Sequence, residues 1–142
     1  MKAATLKRLD LLAASREVAL LETIQRHNAA LKQNEYQRGM LEAYRSRLAA
    51  SWQGGAVVSA AQARRAGRFA AGALSAEEQI NVTAAQARAQ LETVVADLAR
   101  LKARRRKLAL RLREAARREE EQAEMKAERA QPVRRNGARH VS

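Results

Sequence analysis

The chain has 142 residues, of which 46% are hydrophobic and only 3% aromatic, and its formal net charge is +13. Alanine, the residue with the highest helix propensity, supplies 33 residues, about half of the hydrophobic total. With one proline and six glycines, this composition excludes a β-rich domain, argues against a thick globular core, and predicts long helices joined by few turns.

A seven-residue apolar repeat predicts a first helix over residues 3–52. The repeat is polar in its middle, where His27 and Asn34 are typical of seam residues that set the register of a coiled coil rather than of ligands. Its positions are Leu6, Ala13, Leu20, His27, Asn34, Leu41 and Leu48. We expect a second set to accompany them on the same face, namely Leu9, Ile24, Leu31, Tyr44 and Trp52.

The strongest turn signal is the double glycine Gly54–Gly55, which predicts a turn over residues 53–58. Ser59 and Gln62 have the spacing of a capping box and therefore mark the start of a second helix at about residue 59. A weaker signal of the same kind over residues 72–75 would mark a kink or a new helix start.

The second helix is predicted over residues 59–130 by apolar residues that recur with alternating spacings of four and three. A stripe this narrow is typical of a coiled-coil seam, and Arg105 is its single charged interruption. The seam positions are Ile80, Ala84, Ala87, Leu91, Val94, Leu98, Leu101, Arg105, Leu108, Leu112 and Ala115. Because Pro132 does not easily continue a helix, we expect residues 131–142 to form a basic disordered tail.

These elements predict an all-α fold in which two long helices form an antiparallel coiled-coil hairpin over residues 1–130, since a short turn makes neighbouring helices antiparallel. Pairing Trp52 with Ser59 would place Leu6 opposite Arg105. The alternative is intermolecular, with the seams over residues 80–115 of two or more chains paired.

The excess positive charge lies late in the chain, where residues 100–142 hold 15 basic and 6 acidic side chains. We call residues 100–118 the basic band. Three interpretations are open: a solvated helix face, a surface that attracts nucleic-acid phosphates without sequence preference, and a docking surface for an acidic protein or an anionic membrane. Because the band holds no aromatic residue, stacking on bases is excluded, which counts against nucleic acid.

The aromatic residues all lie around the predicted turn, and they are Tyr36, Tyr44, Trp52 and Phe69. Either they pack the end of the hairpin, or they form an exposed protein-binding patch. Small residues follow Phe69 over residues 70–73 and would let the backbone of a partner approach closely.

The sequence holds no catalytic or ligand-binding signature. It has no cysteine, its two histidines His27 and His140 lie far apart, and it lacks a nucleotide-binding glycine motif. It also lacks an 18-residue apolar stretch and a secretory signal. We therefore expect a cytoplasmic, non-enzymatic protein with no metal and no cofactor.

Several segments resemble the flagellar export protein FliJ and the related stalk proteins of type III secretion systems. They are the run Met40-Leu-Glu-Ala-Tyr-Arg-Ser-Arg-Leu48, the Gly54–Gly55 turn, the Arg68-Phe69 pair and the stretch Glu78-Gln79-Ile80. The total length is similar as well. The resemblance covers essentially the whole chain and implies an antiparallel coiled coil similar to the central stalk of rotary ATPases.

The resemblance further implies a non-enzymatic component of a protein export apparatus at the cytoplasmic face of the membrane, with peripheral membrane association only. Its partners would be the hexameric export ATPase, the cytoplasmic domain of the export gate and export chaperones, with no specific nucleic acid. By position, the gate-binding residues would be Tyr44, Phe69, Ala73, Ala76 and Ile80. The ATPase-docking region would include Leu6, Leu9, Arg104, Arg105, Arg106, Lys107 and Arg111. From the residues alone, a basic nucleic-acid-binding coiled coil and a structural dimerising coiled coil remain open.

Overall fold

The computed structural model describes residues 2–53 and 57–131 of the chain. Helix α1 spans Ala3–Gln53 and helix α2 spans Ala60–Ala130, and these described residues include no strand. The all-α helical hairpin is therefore confirmed, with helix ends that differ from the predicted ones by at most one residue. Gly54–Gly55 and residues 132–142 of the predicted basic tail lie outside the described residues.

The chain divides into two compact units, each built from a segment of α1 and a segment of α2. Unit 1 comprises residues 1–19 and 98–142, and unit 2 comprises residues 20–97. The two helical segments run antiparallel in each unit. In unit 1, for example, Ala3 near the start of α1 contacts Glu119, whereas the later residue Glu17 contacts Arg105.

The seam predicted on α2 is confirmed at all eleven positions, because each of them is buried or half-buried. Its members in unit 2 run from Ile80 to Val94, and those in unit 1 run from Leu98 to Ala115. Helix α2 also continues without interruption through residues 72–75, so the weaker signal there does not mark a new helix start.

The seam on α1 is confirmed for the seven-residue repeat but differs in its second set. All seven repeat positions from Leu6 to Leu48 are buried or half-buried, as are Ile24 and Leu31. The other predicted members of the second set are exposed, and these are Leu9, Tyr44 and Trp52. In unit 1, the half-buried acidic residues Asp10 and Glu17 occupy this line instead, and their charge is balanced from the other helix.

The register in unit 1 differs from the predicted one by about one heptad. Leu6 packs against Ala115 and the leucines that precede it rather than opposite Arg105, whereas Arg105 bonds to Asp10 and Glu17. A shift of seven residues leaves apolar positions of both helices facing each other, so the apolar pattern by itself does not distinguish the two registers.

Helix α2 starts with the predicted capping box. The Ser59 backbone N–H donates to Gln62 Oε1 at 3.1 Å, and the Gln62 backbone N–H donates to Ser59 Oγ at 3.2 Å. This reciprocal pair satisfies two of the backbone donors that a helix start leaves without an intrahelical partner. The start of α2 is therefore fixed by neutral side chains.

Candidate partner-binding surfaces

The apolar core of unit 1 lies where the start of α1 meets the later part of α2. Leu6, with 3% of its surface exposed, is the most buried large side chain described. Its cluster comprises Ala3, Leu6 and Ala115, with Leu108 and Leu112 packed against them. The backbone N–H of Ala3 donates to the Glu119 carboxylate at 3.1 Å, so a side chain of α2 caps α1 at the end where the helix dipole favours an anion.

A charged cluster replaces an apolar layer of the unit 1 seam. Arg105 donates through Nε to Asp10 Oδ1 at 3.0 Å and through Nη1 to Glu17 Oε2 at 2.6 Å. The hydrogen bond to Asp10, and then that to Glu17, raises the pKa of the Arg105 guanidinium above its ordinary value. Arg105 links two points of α1 that lie seven residues apart.

The predicted ATPase-docking residues divide into two groups in unit 1. Leu6 is buried in the core and Arg105 is held in the seam, so neither presents its side chain freely at the surface. Leu9 is 40% exposed. The remaining four are exposed basic residues of α2, and they are Arg104, Arg106, Lys107 and Arg111. The part of this region that a partner can reach thus consists of these four basic side chains and the apolar Leu9.

Unit 1 also exposes apolar side chains that belong neither to the predicted seam nor to the predicted docking region. Leu11 and Leu12 on α1 are each 70% exposed, Val18 is 55% exposed, and Leu110 on α2 is 60% exposed. Leu11 and Val18 are seven residues apart, so they lie on one face of α1. The signal that would have indicated this face is a second heptad stripe beside the seam.

The seam of unit 2 combines fully buried alanines with half-buried larger or polar side chains, such as those of Leu31, Asn34 and Ile80. Its buried side chains, among the residues described, are those of Ala73, Ala84 and Ala87. The Nδ2 atom of Asn34 is buried there without a hydrogen-bond partner in the described part of the chain. Asn34 lines a groove of about 160 Å³, which is large enough to admit water as its partner.

The predicted gate-binding residues also fall into two groups, all of them in unit 2. Tyr44 and Phe69 are exposed, with 42% and 59% of their surfaces accessible. Ala73 is buried, and Ala76 and Ile80 are half-buried. The structure therefore offers two of these five side chains directly to a partner.

All four aromatic residues of the chain are exposed in unit 2, and Met40 is exposed with them. Tyr36, Met40 and Tyr44 follow one another at four-residue spacing on α1, so they form a continuous stripe. Arg45 beside this stripe forms an ion pair with Glu77 of α2. Of the two predicted arrangements, the exposed patch agrees with these surfaces, and close packing of the aromatic residues does not.

Comparisons with protein-family models, with characterised proteins and with solved structures each found no match to this chain. Within the described residues, no helix is long and apolar enough to cross a membrane. The same residues include no group of three or more His, Asp or Glu side chains placed to hold a metal ion.

Proposed function

We propose that the protein is a non-enzymatic central-stalk component of a flagellar or type III protein export apparatus. In this role it binds the hexameric export ATPase and the cytoplasmic domain of the export gate, and it assists the handling of export chaperones at the cytoplasmic face of the membrane. It transmits the conformational state of the ATPase by occupying two binding sites at once.

The observation that carries this proposal is the difference between the surfaces of the two units. Unit 1 exposes basic side chains along residues 100–118 with no aromatic residue among them, whereas unit 2 exposes all four aromatic residues. A protein that connects two different partners needs two surfaces of different chemistry. The resemblance of segments 40–48, 68–69 and 78–80 to FliJ supports the same role.

For the ATPase, the exposed basic side chains of unit 1 form the docking surface. Arg104, Arg106 and Lys107 attract an acidic surface, and such attraction acts mainly on the association rate and weakens as salt increases. Arg105 takes no direct part, because both of its carboxylate partners belong to this chain.

For the gate, Tyr44 and Phe69 are the anchors. Exposed aromatic side chains commonly dominate the binding energy of an interface when a partner buries them. Ala73, Ala76 and Ile80 contribute indirectly, because they fix the position of the helix that carries Phe69.

The experiment measures ATP turnover and ring assembly of the cognate export ATPase with and without the full chain. We expect the wild-type chain to raise turnover and promote ring assembly. Replacing Arg104, Arg106 and Lys107 with glutamate reverses their charge and should lower the stimulation of ATP turnover at least tenfold at low salt. The matched control is Arg64→Glu with Arg65→Glu and Arg68→Glu in unit 2, which changes the net charge by the same amount.

Gate binding is tested separately by titrating the cytoplasmic domain of the gate with the chain. Phe69→Ala and Tyr44→Ala should each weaken binding while leaving helicity intact, and Val82→Ala, which changes another exposed residue of unit 2, should not. A chain that neither stimulates the ATPase nor binds the gate would overturn the proposal, as would loss of helicity in Phe69→Ala.

A further inference from the structure

The end of unit 2 on either side of residues 54–56 is uncharged in an otherwise highly charged protein. No charged residue occurs from residue 48 to residue 63, although 30% of the chain is charged and about five charges are expected in such a length. We call its described parts, residues 48–53 and 57–63, the tip. The exposed side chains of the tip include Trp52 and the two valines Val57 and Val58.

Both helix ends at the tip lack the charged residues that usually occupy such positions. The last turn of α1 holds no basic residue and the first turn of α2 holds no acidic residue, although the helix dipole favours each. Neutral side chains make the local hydrogen bonds instead: the Ser59–Gln62 capping box, and Ser51 Oγ, which donates to the Leu48 carbonyl at 2.8 Å. The side-chain hydrogen bonds described at both helix ends of the tip are thus made by uncharged residues.

Arginine residues begin directly on both sides of this uncharged segment. Arg47 precedes it, Arg64 and Arg65 follow it, and Arg68 lies one turn further along α2; all four are exposed. At 1.5 Å per residue, Arg64 lies about 6 Å from the first residue of α2, and Arg47 about 9 Å from the last residue of α1.

This spacing matches the structure of a lipid surface. Segments that lie in a membrane interface bury their apolar side chains about 5–10 Å deep, with basic side chains at the level of the headgroups. Tryptophan is favoured at that level, because its ring is apolar and its N–H is polar. A charge buried at such depth would be costly, which gives a physical reason for the sixteen uncharged residues.

We propose that the tip of unit 2 docks on the surface of an anionic lipid bilayer. Trp52, Val57 and Val58 enter the interface, and Arg47, Arg64, Arg65 and Arg68 contact the lipid phosphates. The complementary charge identifies the occupant, since four arginines flank the apolar residues along the chain and acidic side chains are absent between residues 43 and 76. Lipid docking requires neither the export ATPase nor the gate, so it stands or falls independently of the stalk function.

The chain supplies its own probe, because Trp52 is its only tryptophan. The full chain is mixed with vesicles of phosphatidylcholine alone, or of phosphatidylcholine with about one third phosphatidylglycerol, in about 150 mM salt. We expect the Trp52 emission to shift to shorter wavelength, and acrylamide quenching to decrease, only with the anionic vesicles. Binding without any change at Trp52 would overturn the proposal.

Charge variants locate the contact. Replacing Arg64, Arg65 and Arg68 with glutamine should lower the partition coefficient on the order of 100-fold. The matched control replaces Arg104, Arg106 and Lys107 of unit 1 with glutamine, which removes the same charge and should lower partition less than tenfold. If the control variant lost binding while the tip variant kept it, the contact would belong to the basic band and the proposal would be wrong.

A second variant tests the apolar part of the contact. Val57→Asp with Val58→Asp retains every arginine and should abolish the emission shift, with circular dichroism confirming that the helices are intact. A single-stranded oligonucleotide serves as the competing ligand. If the oligonucleotide shifted the Trp52 emission and the anionic vesicles did not, the tip would be a nucleic-acid surface and lipid docking would be excluded.

Discussion

Units 1 and 2 have the same two-helix architecture but are held together by different contacts. Unit 1 buries the large side chains of Leu6, Leu98 and Leu101 and joins its helices through the Arg105 ion cluster. In unit 2 the buried side chains, as far as the structure describes them, belong to alanines, and large apolar residues such as Phe69 are exposed.

The difference shows that a two-helix protein can use one part for internal packing and another part for contacts with a partner. Two helices alone enclose little volume, so a large apolar side chain either contributes to the seam or remains available to a partner. Unit 1 uses its leucines for internal packing as well as exposing a few, and it places the partly buried Arg105 ion cluster within the seam itself. In unit 2 only alanines reach full burial, and the larger seam residues, such as Leu31 and Ile80, are half-buried. This seam therefore stabilises less, because less apolar area is buried. We therefore expect unit 1 to be the more stable of the two.

The largest effect should follow from Leu6→Ala in unit 1. Removing this side chain leaves a cavity at the centre of the core cluster and should lower the free energy of unfolding by about 2–3 kcal/mol. Urea unfolding measures the total loss. Hydrogen exchange should show that the amides of residues 3–19 lose more protection than those of residues 20–53.

Leu11→Ala is the matched control, because it makes the same substitution on the same helix at a side chain that is 70% exposed. We expect it to change stability by no more than about 0.5 kcal/mol. Equal losses for Leu6→Ala and Leu11→Ala would mean that the burial of Leu6 does not stabilise unit 1 as described.

A smaller effect, which tests register rather than packing, should follow from Arg105→Ala. Its loss leaves Asp10 and Glu17 beside the seam without their shared cation, so the urea midpoint should fall by more than in Arg104→Ala, which removes a neighbouring exposed arginine. Replacing all three charged residues with leucine should restore stability or increase it, because an apolar layer avoids the cost of removing charges from water.

Register itself can be followed in these variants because the chain has no cysteine. Cysteines introduced at Ala3 and Ala115, which lie in one cluster in the observed register, should form a disulfide, and incomplete cross-linking should appear only in the leucine variant. A leucine variant with a single, unchanged cross-link would show that packing, rather than the ion cluster, sets the register.

The smallest effect should be a gain of stability in unit 2. Asn34→Leu removes a buried amide nitrogen that has no partner among the described residues, and it should raise the free energy of unfolding by about 1 kcal/mol. Gln33→Leu, at the adjacent exposed position, is the control and should have little effect. A loss of stability in Asn34→Leu would indicate that water in the groove satisfies the amide fully.

Local periodicity was sufficient to predict the helices and most of the seam. The eleven positions on α2 were identified because burial in a two-helix structure follows the heptad closely. The second line on α1 was partly missed because Leu9 is more hydrophobic than Asp10, although Asp10 is the residue at the correct spacing. Only the charge of Arg105 on the other helix explains why an acid lies there.

The candidate site was less predictable because it, too, depends on interactions between the two helices. Position in the sequence places Ala73, Ala76 and Ile80 close to Phe69, but it does not say which of them face α1. The register differs from the predicted one by a heptad because a repeat of seven has equivalent solutions seven residues apart. Interactions between distant residues, such as those of Arg105, distinguish these solutions, and such pairs are not visible in a local pattern.

The contact between Ala3 and Glu119 has a consequence for the residues that follow it. Helix α2 continues from residue 120 to residue 130 past the first residue of α1, and every side chain in this extension is exposed. Eleven residues are too few to form a stable helix alone in water. The extension is therefore helical only because it continues a helix already nucleated by unit 1. If the Leu6 core loosens, the extension should lose its helical structure with it.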